Sequence, residues 1–153
     1  MRRHEQEIID RTEIDEIIRQ CPVCHLGLCD QGQPYVVPLS FGYDGKAVYF
    51  HSARLGRKLE ILRHNNRVCV EFEIVQDLIT GPAACNWSVH FKSVMGFGRA
   101  HILEDPDQKR VALALLMAQY TEGQFTFPDD MVTRTAIIMV ELNSISGKQS
   151  TQS

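Results

Sequence analysis

Gly56-Arg57-Lys58 places two adjacent cations where a helix should begin. The first backbone N–H groups of a helix lack intrahelical partners and carry partial positive charge, so such a position binds anions, phosphate above all. Cations are mildly unfavourable against that end of the helix dipole, and the pair asks for a compensating anion. Each charge-assisted hydrogen bond there contributes about 1.5–3 kcal/mol before desolvation. Upstream lies PYVVPLSF, an apolar strand from Pro34 through Val36, Val37, Pro38, Leu39 and Ser40 to Phe41, suited to hold something flat. A phosphate clamp beside a flat apolar wall predicts a nucleotide-like cofactor. His51 ends the next strand, and a histidine can donate a proton near neutral pH. Its plainer role is to pack on the cofactor or hydrogen-bond to it. The plain alternative for Arg57-Lys58 is a solvated helix start, and for Pro34 to Phe41 a core strand. Pro38 cannot donate to a ladder, which predicts an edge or interrupted position.

Cys21-Pro22-Val23-Cys24-His25 has the spacing of a c-type haem attachment. Covalent attachment normally requires export, and the charged opening MRRHEQEIID lacks the apolar stretch of a secretion signal. A zinc site would want a second ligand pair at suitable spacing, and Cys69 and Cys85 stand alone. The segment therefore reads as a helix end entering a strand, with small buried thiols. Trp87 reads as core or interface packing, with covering a cofactor as the functional alternative.

The bulk composition narrows the class. The chain has 153 residues, with 44% hydrophobic and 23% charged, enough for one packed domain spanning 1–153. A formal net charge of -3 argues against general nucleic-acid binding. No apolar run reaches membrane-spanning length. The expected location is the cytoplasm, with the five cysteines reduced.

The elements follow from periodicity and turn chemistry. Thr12 and Asp15 resemble a capping box, and Ile14, Ile17 and Ile18 share one face of a helix over about 12–20. Two strands flank the turn Asp30-Gln31-Gly32, and another follows Tyr43-Asp44-Gly45-Lys46. A short helix runs from Arg57 to about His64, with Leu59 and Leu62 inward and Asn65-Asn66 ending it in left-handed geometry. Val68, Val70 and Phe72 alternate along a half-buried strand. Residues 77–88 read as a loop. His90 to Ile102 form a long strand in which Gly96 and Gly98 mark a bulge or a close approach to a ligand. Asp105-Pro106 opens a helix to about Tyr120. After a loop, Thr135 to Leu142 form the last strand, and SGKQSTQS reads as a frayed tail. About six strands and three helices, joined by tight turns, predict a mainly antiparallel barrel with peripheral helices.

With that order in place, the chain resembles the flavin-binding split barrel of the pyridoxamine 5′-phosphate oxidase superfamily, and within it the Nim-type, or nitroimidazole-resistance, proteins. The resemblance rests on CHLGLCDQGQPYVVPLSFGYD, VYFHSARLGRKLEILRHNNRVCVEFE, ACNWSVHFKSVMGFGRA and ISGK, which together cover most of 21–148. It implies a mainly β fold, a six-stranded antiparallel split β-barrel with its core over about 21–148, and a homodimer with FMN at the subunit interface. It matches Arg57 and Lys58 to the cofactor-phosphate pair, Val36 to Phe41 to the strand beside the flavin ring, and His51 and Ser52 to a strand end that meets the cofactor. Ser93 falls where the oxidases carry a glutamine. The oxidases' pyridoxal-recognising residues are not evident, nor is their longer C-terminal region, so their substrate is not carried over. The implied activity is reduction of a small molecule, nitro-heterocycles such as a 5-nitroimidazole among the candidates, with a reduced nicotinamide reloading the flavin. The alternative is a haem-binding or non-catalytic flavin-binding protein.

Overall fold

The computed structural model describes residues 4–150. The chain runs through β1 (Glu7–Ile8), α1 (Arg11–Gln20), β2 (Cys24–Asp30), β3 (Gln33–Leu39), β4 (Gly42–Tyr43), β5 (Ala47–Ala53), α2 (Arg57–His64), β6 (Arg67–Ile79), β7 (Ser88–Leu103), α3 (Pro106–Ala118), α4 (Asp129–Arg134) and β8 (Thr135–Gln149). One sheet holds every strand in the order β3-β2-β6-β7-β8-β5-β4, with β1 paired to β8. All pairings are antiparallel. The path is open, with β3 and β4 at its edges, so the fold is mainly β, a split barrel with flanking helices. Six strands are long, as expected; β1 and β4 are two-residue additions. Among the described residues no helix is long and apolar enough to cross a membrane.

Side-chain alternation divides the sheet into two faces. Leu26, Val48, Phe50, Val70, Phe72, Val94, Ile138 and Val140 point inward and are buried. Helix α1 adds Ile14, Ile17 and Ile18 to this core, and α2 adds Leu59, Ile61 and Leu62. Each such side chain stabilises the fold by about 1.5–3 kcal/mol. A smaller cluster on the outer side seats α3 on the sheet through Ala112, Leu116 and Ile137.

Several boundaries differ from expectation. Asp10, not Thr12, caps α1: its carboxylate accepts the Thr12 N–H at 2.8 Å. Asn65 ends α2 in extended backbone, φ -141, so no left-handed cap forms there. The predicted 77–88 loop is shorter, because β6 runs to Ile79 and β7 starts at Ser88. Helix α4, within an expected loop, follows Pro128 and was hidden by its six-residue length. The expected tail is strand as far as Gln149: its polar residues pair with β7 and its Gly147 with β1. The tail's last residues, 151–153, lie outside the described residues.

Gly98 lies at a bulge between β7 and β8. A Cβ there would sit 1.9 Å from the Glu141 carbonyl oxygen. The close approach at Gly98 is to the neighbouring strand.

Candidate cofactor site

The sequence brings the α2 N-terminus against the tip of the β2–β3 hairpin. Gly56 precedes the helix at φ 129, a conformation suited to glycine, and no side chain caps the helix. The opening amides are thus left without a side-chain acceptor. The Arg57 guanidinium carbon lies 4.7 Å from the centre of the Tyr35 ring, and the guanidinium reaches to 3.9 Å from the Asp30 carboxylate. Lys58 is half-buried and makes no ion pair among the described residues. At the other end of α2, Asn65 donates to the Cys29 carbonyl at 3.0 Å and accepts the Arg67 N–H at 3.2 Å. Helix α2 is thereby tied to the hairpin at both ends. Two cations and uncapped amides form a donor set that fits a phosphate.

The strand Val36 to Phe41 divides by face. β3 is an edge strand, as Pro38 required. Val36 and Pro38 are exposed on its outer side, while Val37 and Leu39 pack on the core. Ser40 follows the strand, half-buried. The Phe41 side chain belongs to the core, edge-on to Phe72 with ring centres 5.0 Å apart. Its N–H donates to the Tyr120 hydroxyl at 2.9 Å, so that donor is already engaged. Val37, Leu39 and Phe41 therefore support the wall, and Val36 and Pro38 present it.

His51 and Ser52 occupy the end of β5, opposite Ile137 and Ala136 of β8. His51 is exposed and Ser52 half-buried. Ser93 stands on the outer side of β7 between Glu73 and Lys148. Among the described residues, none of the five best-formed cavities is lined by His51, Ser52 or Ser93. The outer-face cavity beside β3, about 550 Å³, takes in Pro34 and Val36 of the apolar strand and Gly98 of β7.

That cavity follows from register. Val36, Gly27, Cys69 and Phe97 lie side by side across β3, β2, β6 and β7. Gly27 leaves the row low, and Arg67 and Arg99 edge the cavity. Val36 is 60% exposed, Phe97 52% and Met95 43%. Sequence reading missed Met95 and Phe97. The signal was their alternation with Val94, Gly96 and Gly98, which the emphasis on the glycines obscured.

The Cys21-x-x-Cys24-His25 segment splits across the sheet. Both thiols are buried, and the Cys21 S–H donates to the Ile17 carbonyl at 3.2 Å. Burial pushes Cys21 up to about 11 and Cys24 higher still. His25 faces the other way, with its Nδ1 3.2 Å from the Glu71 carboxylate. Burial and the neighbouring Glu73 raise the Glu71 carboxyl, against the opposing pull of His25. Among the described residues no group of His, Cys, Asp and Glu has metal-binding geometry. Trp87 is not in the core: it sits at the β6–β7 tip, and its Nε1 donates to the Gly81 carbonyl at 2.9 Å.

Comparison with known proteins places this geometry. The family described as Pyridoxamine 5′-phosphate oxidase matches residues 10–149. The chain belongs to this family. A candidate 5-nitroimidazole antibiotic resistance protein from Bacteroides thetaiotaomicron is 36% identical, over 94% of this chain and 86% of that one, with a TM-score of 0.85. A flavocytochrome from Azotobacter vinelandii is 26% identical over 99% of this chain and 72% of its own, with a TM-score of 0.87. An FAD and haem binding protein from Mycobacterium smegmatis shares the fold, with a TM-score of 0.87 over 96% of this chain and 74% of its own, at 18% identity. No curated protein matches the sequence. In this oxidase-family chain the hairpin, α2 and the outer row of β7 are the elements that carry candidate chemistry.

Proposed function

We propose that the chain binds FMN with its phosphate at the α2 N-terminus and, as a homodimer, reduces a small molecule. The observation that carries this reading is the uncapped start of α2, with Arg57 stacked on Tyr35 and Lys58 without an ion-pair partner among the described residues. Arg57, Lys58 and the helix amides bind the phosphate, and Val36 and Pro38 present an apolar wall beside it. A bound flavin would supply the redox chemistry, taking electrons from a reduced nicotinamide and passing them to the substrate. Reduction of a nitro group consumes protons as well as electrons, and the exposed His51 imidazole is the proposed donor, with packing on the cofactor or hydrogen bonding to it as its plainer role. Likeness to the Bacteroides protein supports nitro-heterocycles, 5-nitroimidazoles among them, as substrates.

The dimer reading rests on the outer face. Val36, Met95 and Phe97 form an exposed apolar patch of the kind that marks an interaction surface. The scatter of His51, Ser93 and Arg57 over one chain fits a site completed by a second copy. The five free thiols fit a reducing cytoplasm.

Likeness to the flavocytochrome supports a second reading, haem binding. Haem iron commonly takes a histidine, and His51 and His101 are exposed imidazoles of the outer face. The absorbance spectrum of the protein as isolated separates the two. Oxidised flavin absorbs at about 450 nm, whereas a Soret band without flavin absorption would establish the haem reading instead. Anaerobic mixing of the flavin-loaded protein with a reduced nicotinamide and a nitroimidazole then tests turnover. Flavin that stays reduced after the nitroimidazole is added would defeat the reductase assignment.

A further inference from the structure

Lys109 is a buried cation that the proposed flavin site does not use. Only 7% of the residue is exposed, and it makes no ion pair among the described residues. Its Nζ donates to the Thr135 carbonyl at 3.0 Å and the Val132 carbonyl at 3.5 Å. These bonds close the C-terminal end of α4, but an ammonium group carries three protons. A buried charge without a counter-charge is costly.

Lys109 lines a cleft of about 110 Å³ between α2, the start of α3 and the adjoining ends of β7 and β8. Arg54 and Arg63 line the same cleft, and Glu104 is its one acidic residue. Neither arginine makes an ion pair among the described residues. Three cations thus face one carboxylate around a space sized for a single oxyanion. Leu59 and Ala136 supply apolar wall, which strengthens a charged contact by excluding water. Arg63 follows Leu59 by one helical turn, so its position belongs to the face of α2 that packs toward this cleft. Ala136 is the cross-strand partner of Ser52, so the cleft adjoins the end of β5.

We propose that this cleft is a second anion site, taking one phosphate group on Arg54, Arg63 and Lys109. The ligand is free phosphate or the phosphate monoester of a larger molecule. That the larger molecule is a 2′-phosphorylated nicotinamide dinucleotide rests on the reductase reading above; the anion site itself does not.

The test is titration of inorganic phosphate into the full chain at constant ionic strength, followed by backbone amide NMR. The expected result is saturable shifts at Arg54, Glu104 and Ala136. They should disappear in the exposed double variant Arg54→Ser/Arg63→Ser and persist in Arg57→Ser/Lys58→Ser. Lys109→Met should abolish them as well, but the two arginine changes keep the test valid if that variant fails to fold. Absence of these shifts, or their survival in Arg54→Ser/Arg63→Ser, overturns the site. Failure of the flavin reading alone would leave them intact. NADPH and NADH, which differ by the 2′-phosphate, identify the source. Shifts at the same amides at about tenfold lower NADPH concentration, about 1.4 kcal/mol of preference, support the cleft as a dinucleotide site. Equal responses to the two dinucleotides, with inorganic phosphate still bound, support it as a site for free phosphate.

Discussion

Arg57 stacks on Tyr35, joining the first residue of α2 to the edge strand β3 with 4.7 Å between guanidinium carbon and ring centre. The Asp30 carboxylate is 3.9 Å from the same guanidinium. The stack gives the side chain a preferred direction at the mouth of the uncapped helix, so less freedom is lost when an anion binds.

Gly98 should be the least replaceable glycine of β7. In Gly98→Ala the new carbon meets the Glu141 backbone at 1.9 Å, and backbone cannot rotate away. Gly96→Ala meets the Leu142 and Val70 side chains first, at 2.9 and 3.0 Å. Overpacking of this kind costs about 1–3 kcal/mol, and the Gly98 change belongs at or above the top of that range. Urea unfolding of both variants checks the order; equal midpoints would contradict it.

Phe97→Lys should break self-association and weaken flavin binding together. The substitution puts a charge into the apolar outer row and leaves the inner core untouched, so the fold should persist. Analytical ultracentrifugation gives the association state and fluorescence titration the affinity. A monomer with undiminished flavin affinity would separate the two properties.

Asp44 should contribute to acid stability. Burial alone would raise its carboxyl, but N–H groups of Ala47 and Lys46 and the Tyr49 hydroxyl outweigh that and hold it below its ordinary value. A depressed folded value means the contribution is complete above the unfolded pKa of about 3.9 and is lost as pH falls through the folded one. Asp44→Asn should therefore be less stable at neutral pH and lose less on acidification. Urea midpoints across the acid range test this; parallel acid profiles would contradict it.

Cys21 and Cys24 should resist alkylation in the native state, because the thiolate is the reactive form. Burial pushes Cys21 up to about 11 and Cys24 further, whereas Cys85 is exposed. Iodoacetamide at neutral pH followed by mass spectrometry should label Cys85 first and the other two only in denaturant. Native labelling of Cys21 or Cys24 at the Cys85 rate would contradict their burial.

Local signals carried much of the fold. Gly56, Asn65 and the Asp105-Pro106 pair mark the ends of α2 and the start of α3 close to where the structure has them. Pro38 foretold an edge strand. The misses came from long-range pairing: the polar end of β8 reads as a tail until β7 and β1 satisfy its backbone. The site was legible only in part. Arg57 and Lys58 announce an anion through local chemistry, but the row Val36, Gly27, Cys69 and Phe97 depends on the register of four strands. Lys109 carries no local signal in the sequence, because its burial comes from α4 folding over it.

The most direct test of the phosphate clamp is FMN titration of Arg57→Ala/Lys58→Ala against the unaltered protein, read by flavin fluorescence. Loss of charge-assisted bonds worth about 1.5–3 kcal/mol each predicts at least a hundredfold weaker affinity for the double variant. Circular dichroism should show the fold retained. Unchanged affinity in a folded variant would contradict the assignment of α2 as the flavin-phosphate site.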